Sequence, residues 1–263
     1  MLQYLKLGGS LITEKELPYT PRAGILRQAA TEVRAYLTSH PGEKLIIGHG
    51  SGSFGHTSAA RYKTKMGVSG PTGWLGYAQV CRDARALNQL VLDALLAAGV
   101  PAVSFPPSAT VRCAGGEITA WDTTAITQAL ANDLVPLIFG DTVLDDQLGG
   151  TICSTEDLFL HLSKSLPPAR VLLAGIEPAV WADFPARQVK LAVIHASESL
   201  NANNKISGSI FTDVTGGMAA KVQKMAALVQ QYPKCEVLLF SGIAPGAILA
   251  ALSGNYPGTA ILP

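Results

Sequence analysis

Short apolar runs alternate with longer stretches of helical periodicity from one end of the chain to the other. Residues 4–7 read as a buried strand running into a glycine turn, Gly8-Gly9-Ser10. Ile25, Leu26, Ala29, Val33, Tyr36 and Leu37 mark a helix over 24–37. A second strand, 45–47, enters Gly48-His49-Gly50-Ser51-Gly52-Ser53-Phe54-Gly55-His56, four glycines in eight residues, and a helix is predicted from Thr57. Val80, Ala84, Leu87, Val91 and Leu95 then keep the rhythm of a long helix that Gly99-Val100-Pro101 ends.

Strand 102–105 and a hairpin about Gly115-Gly116 follow. Asp122 is expected to cap a helix reaching Leu130, and strand 134–139 should end at a polar turn, Gly140-Asp141. A second hairpin is predicted at Gly149-Gly150, then a helix from a Thr155 cap through Leu166, broken by Pro167-Pro168. Farther on, strands at 171–173, 191–194, 237–240 and near Ala260 alternate with helices over 218–230 and 245–252. Such alternation predicts a mostly parallel sheet covered on both faces. Ligands of these folds bind at the carboxyl ends of the strands. The Gly8-Gly9 turn, the 48–56 stretch, Gly140-Asp141 and Ser241-Gly242 all fall at such ends.

Dense glycine lets the backbone approach a ligand and aim several N–H groups at one point. A helix starting directly afterwards adds unpaired donors and the positive end of its dipole. The 48–56 stretch therefore reads as an anion cradle, with a tight ligand-free turn as the plain alternative. Gly50, Gly52 and Gly55 also spell G-x-G-x-x-G, yet no second strand follows and no acidic residue occurs before Asp83. A nicotinamide site would lack its ribose contact. No Gly-Lys-Ser/Thr follows either, so this is not a P-loop.

Composition narrows the class. With 263 residues, 48% of them hydrophobic, the chain can bury the core of one αβα domain or of two tightly joined lobes. A net charge of +1 gives no footprint for nucleic acid. No run of about 18 apolar residues is free of charge, and the start lacks a signal peptide's layout. These features predict a cytoplasmic protein with neither nucleic-acid nor membrane partner. Cys81, Cys113, Cys153 and Cys235 form no C-x-x-C pair and read as reduced core residues, with no metal site expected.

Two glycine turns on separate strands suggest two anions side by side, with Lys6 before the first turn and Lys15 after it. Phosphoryl transfer needs such positioning and positive charge along the in-line path. His56, at a helix start, can donate to a phosphate oxygen, whereas His49 reads as a packing or backbone-bonding residue. Asp141 is expected to hold glycine-loop N–H groups or to orient Lys6. Thr212-Asp213-Val214-Thr215-Gly216-Gly217-Met218-Ala219-Ala220-Lys221 is a further glycine turn opening a helix, with Lys221 directed at a nucleotide's terminal phosphates.

Lys6-Leu7-Gly8-Gly9-Ser10, Gly50-Ser51-Gly52-Ser53-Phe54-Gly55-His56, Phe139-Gly140-Asp141 and Asp213-Val214-Thr215-Gly216-Gly217-Met218 with Lys221 resemble, in this order, the amino acid kinase superfamily. The Ser-Phe-Gly-His ending of the cradle is similar to the isopentenyl phosphate kinase subgroup. The resemblance covers nearly the whole chain. It implies an αβα sandwich around a mostly parallel sheet, one domain over 1–263, with an acceptor-binding lobe at 1–166 and a nucleotide-binding lobe at 167–263. It further implies transfer of the ATP γ-phosphoryl group to isopentenyl monophosphate. Lys6 would bridge the transferring group, Lys15 stabilise its transition state and Asp141 orient the lysines. Gly8, Gly9, Ser10 and Gly52 would cradle ATP phosphates, Gly217 and Lys221 face the nucleotide, and Ser51, His56 and Gly140 hold the acceptor. Mg²⁺ carried by ATP and a homodimer are also implied.

A phosphomonoester suits glycine N–H groups and an imidazole, and Met66, Val68, Trp74, Tyr77 and Val80 are placed in sequence to line a pocket for its tail. Another small phosphate or phosphonate is the alternative acceptor, because the cradle recognises the anion. A nucleotide sensor without turnover is the reading from another class, and Lys6, Lys15 and Lys221 argue against it. The chain departs from the family pattern at 173–181, where Glu177 is the acidic residue that remains.

Overall fold

A computed structural model describes residues 1–184, 186–197, 216–255 and 257–263. β1 (Leu2–Leu7) turns through the one-turn helix α1 (Gly9–Ile12) into α2 (Ala23–Ser39) and β2 (Lys44–His49). α3 (Gly52–Tyr62), a 3₁₀ turn at Thr64–Met66 and the long α4 (Gly70–Ala97) lead to β3 (Ala102–Ser104). Next come α5 (Pro107–Thr110), β4 (Val111–Ala114), β5 (Glu117–Trp121), α6 (Thr124–Ala131) and β6 (Val135–Phe139). β7 (Asp141–Asp145), β8 (Gly149–Cys153) and α7 (Thr155–Leu162) follow. The last third holds β9 (Arg170–Gly175), β10 (Val180–Trp181), β11 (Lys190–Leu191) and β12 (Val193–His195). It closes with α8 (Gly216–Gln231), β13 (Glu236–Ser241), α9 (Ala247–Leu252) and β14 (Gly258–Leu262).

Among the described residues eight strands form one sheet in the order β12-β14-β13-β9-β1-β2-β6-β3. Neighbours are parallel except β13 with β14, as the alternation of elements predicted. β5-β4-β7-β8 make a smaller sheet. Successive strand residues point to opposite faces, and the two cores follow from that. On one face Leu5, Leu7, Leu45 and Ile47 pack with Val33 of α2, Leu87 of α4 and Ile248 of α9. On the other, Tyr4, Ile46, Ile138 and Val171 pack with Phe159 of α7 and Met225 of α8, together with Val143 and Cys153 of the smaller sheet. The layering is αβα. Lys6 alternates with Leu5 and Leu7, so it shares the face of Tyr4 and meets α7 and α8.

Several boundaries differ from the sequence reading. α3 begins at Gly52 and not at Thr57, because Gly52 takes a φ of 50° that lets the chain enter the helix inside the glycine run. α7 is capped by Ser154, one residue before Thr155, through reciprocal Ser154 and Asp157 hydrogen bonds, and it ends at Leu162. Asp141 starts β7 and is not in a turn. The β7–β8 hairpin turns before Gly149, where Asp145 gathers the N–H groups of Gln147 and Leu148 as well as those of Gly115 and Gly116. The predicted strand 191–194 splits between β11 and β12. Cys113 and Cys153, distant in sequence, lie with their sulfurs 3.4 Å apart as buried free thiols. Among the described residues no helix is long and apolar enough to cross a membrane.

Candidate active site

Because β1 and β2 are parallel with Leu7 opposite His49, their glycine turns leave the sheet side by side. Gly50 N–H donates to the Leu7 carbonyl at 3.1 Å. A Cβ on Gly9 would stand 2.6 Å from Gly52 N, and one on Gly50 2.9 Å from Gly9 N, so larger residues would force the turns apart. Thr13 ties the turns together. Its hydroxyl donates to the Gly9 carbonyl at 2.7 Å and accepts the Ser53 N–H at 3.0 Å. The N–H groups of Gly9, Ser10 and Gly52 open their helices and have no intrahelical acceptor, and all three residues border one crevice of about 570 Å³.

That crevice gathers each residue assigned above to the phosphates, the nucleotide or the transfer step: Lys6, Gly8, Gly9, Ser10, Lys15, Ser51, Gly52, His56, Gly140, Asp141, Gly217 and Lys221. Lys6 is buried at the end of β1. Burial pushes its pKa down, and Glu156 opposes that shift. Glu156, buried in the first turn of α7, is ion-paired with Lys6 through Oε2, and among the described residues its Oε1 has no hydrogen-bond partner. Burial alone would raise the Glu156 pKa, but the Lys6 ammonium holds it below the usual carboxylate range, so the carboxylate is anionic. His56 stands at the crevice wall, its pKa lowered by burial and then by Lys221, Lys6 and Lys15. Three ammonium groups thus act on one imidazole, an arrangement suited to a multiply charged anion.

Glu156 was not singled out in the sequence, and it takes the partnership expected of Asp141. Asp141 instead accepts the Ser108 N–H at 3.2 Å and its neighbour Thr142's N–H at 2.8 Å. Its place at the start of β7 brings the carboxylate to α5 while the residue still borders the crevice that holds Lys6. Gly140 borders the crevice, but its N–H already donates to the His49 carbonyl at 3.1 Å, so it offers close approach and no free donor. Of the predicted apolar wall, Val80 lines the crevice, joined by Ala84, Ala59 and Ile152. Met66 is 80% exposed and Trp74 41% exposed, while Val68 and Tyr77 pack against Gly149 and Gly150. The helical period explains part of this: Val80 and Ala84 are four apart and share one face of α4, which Trp74 leaves, whereas Tyr77 lies near that face and is taken up by its contact with Gly150.

His49 has the structural role expected of it. Fully buried, it stacks on Phe139 and reaches the Gly50 carbonyl at 3.0 Å through Nδ1. Burial depresses its pKa from 6.5 to about 4. Between those values the unfolded chain binds a proton that the native chain does not, so stability falls as pH drops through this window. Roughly 2–3 kcal/mol should be lost between pH 6.5 and 4.5 from this residue. Urea titrations of the wild type and His49→Gln across that range should show a shallower pH slope in the variant. Equal slopes would mean His49 does not titrate in this way.

In the second half of the chain, Glu177 accepts the Trp181 indole N–H at 2.8 Å and pairs with Arg187 at 3.1 Å. All three border the crevice, so this departing stretch contributes an aromatic and an ion pair there. Residues 212–215 of the third glycine turn, and the polar segment 201–205, lie outside the described residues. Among the described residues no group of three or more His, Cys, Asp or Glu side chains is placed to hold a metal ion.

Residues 1–241 match the model of the amino acid kinase family. The chain is 33% identical over 257 residues to an isopentenyl phosphate kinase of Methanothermobacter thermautotrophicus, with 95% of each protein covered. It is 34% identical over 268 residues to an isopentenyl phosphate kinase of Methanocaldococcus jannaschii, covering 99% of this chain and 98% of that one. A solved isopentenyl phosphate kinase structure superposes with a TM-score of 0.84 at 32% identity, over 99% of this chain and 100% of that one.

Proposed function

The chain belongs to the amino acid kinase family, and we propose that it transfers the γ-phosphoryl group of ATP to isopentenyl monophosphate, giving isopentenyl diphosphate and ADP. The observation that carries this reading is the buried Lys6–Glu156 pair beside two interlocked glycine turns. An acceptor phosphate oxygen attacks the γ-phosphorus as the bond to the ADP oxygen breaks. Little covalent help is needed; the protein supplies alignment and positive charge. Lys6 bridges the transferring group and Glu156 holds its ammonium in line. Lys15, exposed on the loop after α1, closes over the developing charge.

Gly8, Gly9, Ser10 and Gly52 hold the donor's phosphates, with Gly217 and Lys221 against the nucleotide from α8. Ser51 and His56 hold the acceptor phosphate, Gly140 allows its approach, and Val80, Ala84, Ala59 and Ile152 receive the tail. In this arrangement 1–166 is the acceptor lobe and 167–263 the nucleotide lobe. Mg²⁺ would be held by the phosphates of ATP and would add positive charge there. The protein would work in the cytoplasm as a homodimer.

Replacing His56 with alanine should raise the KM for isopentenyl phosphate by about tenfold or more, the loss of a charge-assisted donor. The KM for ATP should change little. Equal weakening of both substrates would show that His56 only shapes the first turns of α3. The function itself is tested by incubating the purified protein with ATP and a panel of phosphates while following ADP and identifying products. Short branched prenyl phosphates should give diphosphates, and polar phosphates of like size should react poorly. Efficient turnover of polar phosphates alone would replace this acceptor with another.

A further inference from the structure

Three consecutive side chains in the first turn of α7 hold three different parts of the site. Thr155 Oγ1 donates to the His49 carbonyl at the end of β2, at 2.6 Å. Glu156 pairs with Lys6 of β1. Asp157 reaches α8, where its Oδ1 lies 2.5 Å from Lys224 Nζ. The first two fix groups whose roles are described above. The third joins the helix that carries Lys221, and nothing so far gives Asp157 or Lys224 a function.

The contact is preorganised. Asp157 Oδ2 accepts the Ser154 N–H at 3.0 Å and the Ser154 hydroxyl at 2.7 Å. Lys224 Nζ donates to that hydroxyl at 3.1 Å, so ammonium, hydroxyl and carboxylate form a closed triangle. Burial by itself would raise the Asp157 pKa, but Lys224 and Ser154 outweigh it and keep the carboxylate ionised. Residues three apart lie on one helix face, and Lys221 and Lys224 both border the crevice. Val222, Met225, Ala226 and Val229 of the same helix are buried in the core. That stripe sets which face of α8 meets the core, and the ion pair one turn from Lys221 adds a directional contact that pins the polar edge of the helix to α7.

We propose that Asp157 and Lys224 are a positioning pair that locks α8 to the first turn of α7, so that Lys221 faces the Lys6–Glu156 pair across the crevice. The inference rests on reading Lys221 as a nucleotide-facing lysine. Lys224 acts through it, being held by Asp157 and Ser154 and not offered to substrate.

The test is a double-mutant cycle on the full chain with Lys224→Met, Asp157→Asn and their combination, plus Lys224→Arg. Two readouts are taken: calorimetric affinity for a non-hydrolysable ATP analogue, and kcat with isopentenyl phosphate. Each single variant should lose about tenfold in both, and the double variant no more than either, as members of one network do. Isopentenyl phosphate affinity should stay within about twofold of wild type, and Lys224→Arg should recover most of the loss. Losses that multiply in the double variant would overturn the proposal, because Lys224 would then touch the nucleotide independently. Unchanged nucleotide affinity with a lowered Tm would overturn it too, leaving a pair that only stabilises the fold. If the wild type fails to use isopentenyl phosphate, the proposed reaction falls, and the nucleotide affinities still decide the pair.

Discussion

Exchange of Lys6 for methionine is expected to lower kcat by about 10²–10³-fold, the usual loss when one preorganised donor to developing charge is removed. Methionine keeps most of the buried methylene packing, so the loss reports the ammonium. The variant also leaves Glu156 buried without its cation, and breaking a buried pair from one side costs about 3–5 kcal/mol of stability. The two effects separate in the double variant Lys6→Met/Glu156→Gln. It should regain much of the stability, because no uncompensated charge is left, and none of the turnover. Urea unfolding gives the first quantity and initial rates with saturating ATP and isopentenyl phosphate the second. Turnover of Lys6→Met within a few-fold of wild type would remove Lys6 from the mechanism.

Glu156→Gln should be nearly as damaging, by a different route. Burial already pushes the Lys6 pKa down, and the Glu156 carboxylate is the group that opposes this. Without that anion the folded-state pKa of Lys6 falls further, and the charged form is lost at a lower pH. Because the reading requires a protonated Lys6, activity must fail as pH rises, and the variant must fail earlier than the wild type. A loss of about tenfold or more is expected at the alkaline end of the profile, shrinking as pH falls, because removing the nearby opposite charge disfavours the protonated ammonium. Profiles of kcat against pH for both proteins measure this directly. An alkaline limb at the same pH in both would show that Glu156 does not set the charge of Lys6.

The positions of the glycine turns were legible in the sequence because glycine at a strand end has few other uses, and Gly9, Gly50 and Gly52 indeed leave no room for a side chain. The partner of Lys6 was not read, although a signal for it existed. Period-two alternation puts Lys6 on the Tyr4 face, among apolar residues, and a buried ammonium there requires an anion. The Ser154-Thr155-Glu156-Asp157 run looks like helix capping, which it is, and that use hid the second role of Glu156. Asp141, read at a strand end, does border the crevice, and its carboxylate accepts the N–H groups of Ser108 and Thr142, partners that no local pattern showed. The apolar wall was misplaced because closeness in sequence stood in for helical phase. Trp74 and Met66 follow the cradle closely yet face solvent, whereas Val80 and Ala84 return to it. Thr13, Asp157 and Lys224 act through pairings across 40, 67 and 67 residues of chain, and no local pattern announces those.

The central claim is geometric: donor and acceptor phosphates occupy the two interlocked turns of β1 and β2, with the Lys6 ammonium between them. A crystal structure of the protein with a non-hydrolysable ATP analogue and isopentenyl phosphate tests it most directly. The account predicts the terminal phosphate of the analogue over Gly8-Gly9, the acceptor phosphate against Ser51 and His56, and Lys6 in contact with both. Either phosphate bound outside this crevice, or Lys6 turned away from both, would contradict it.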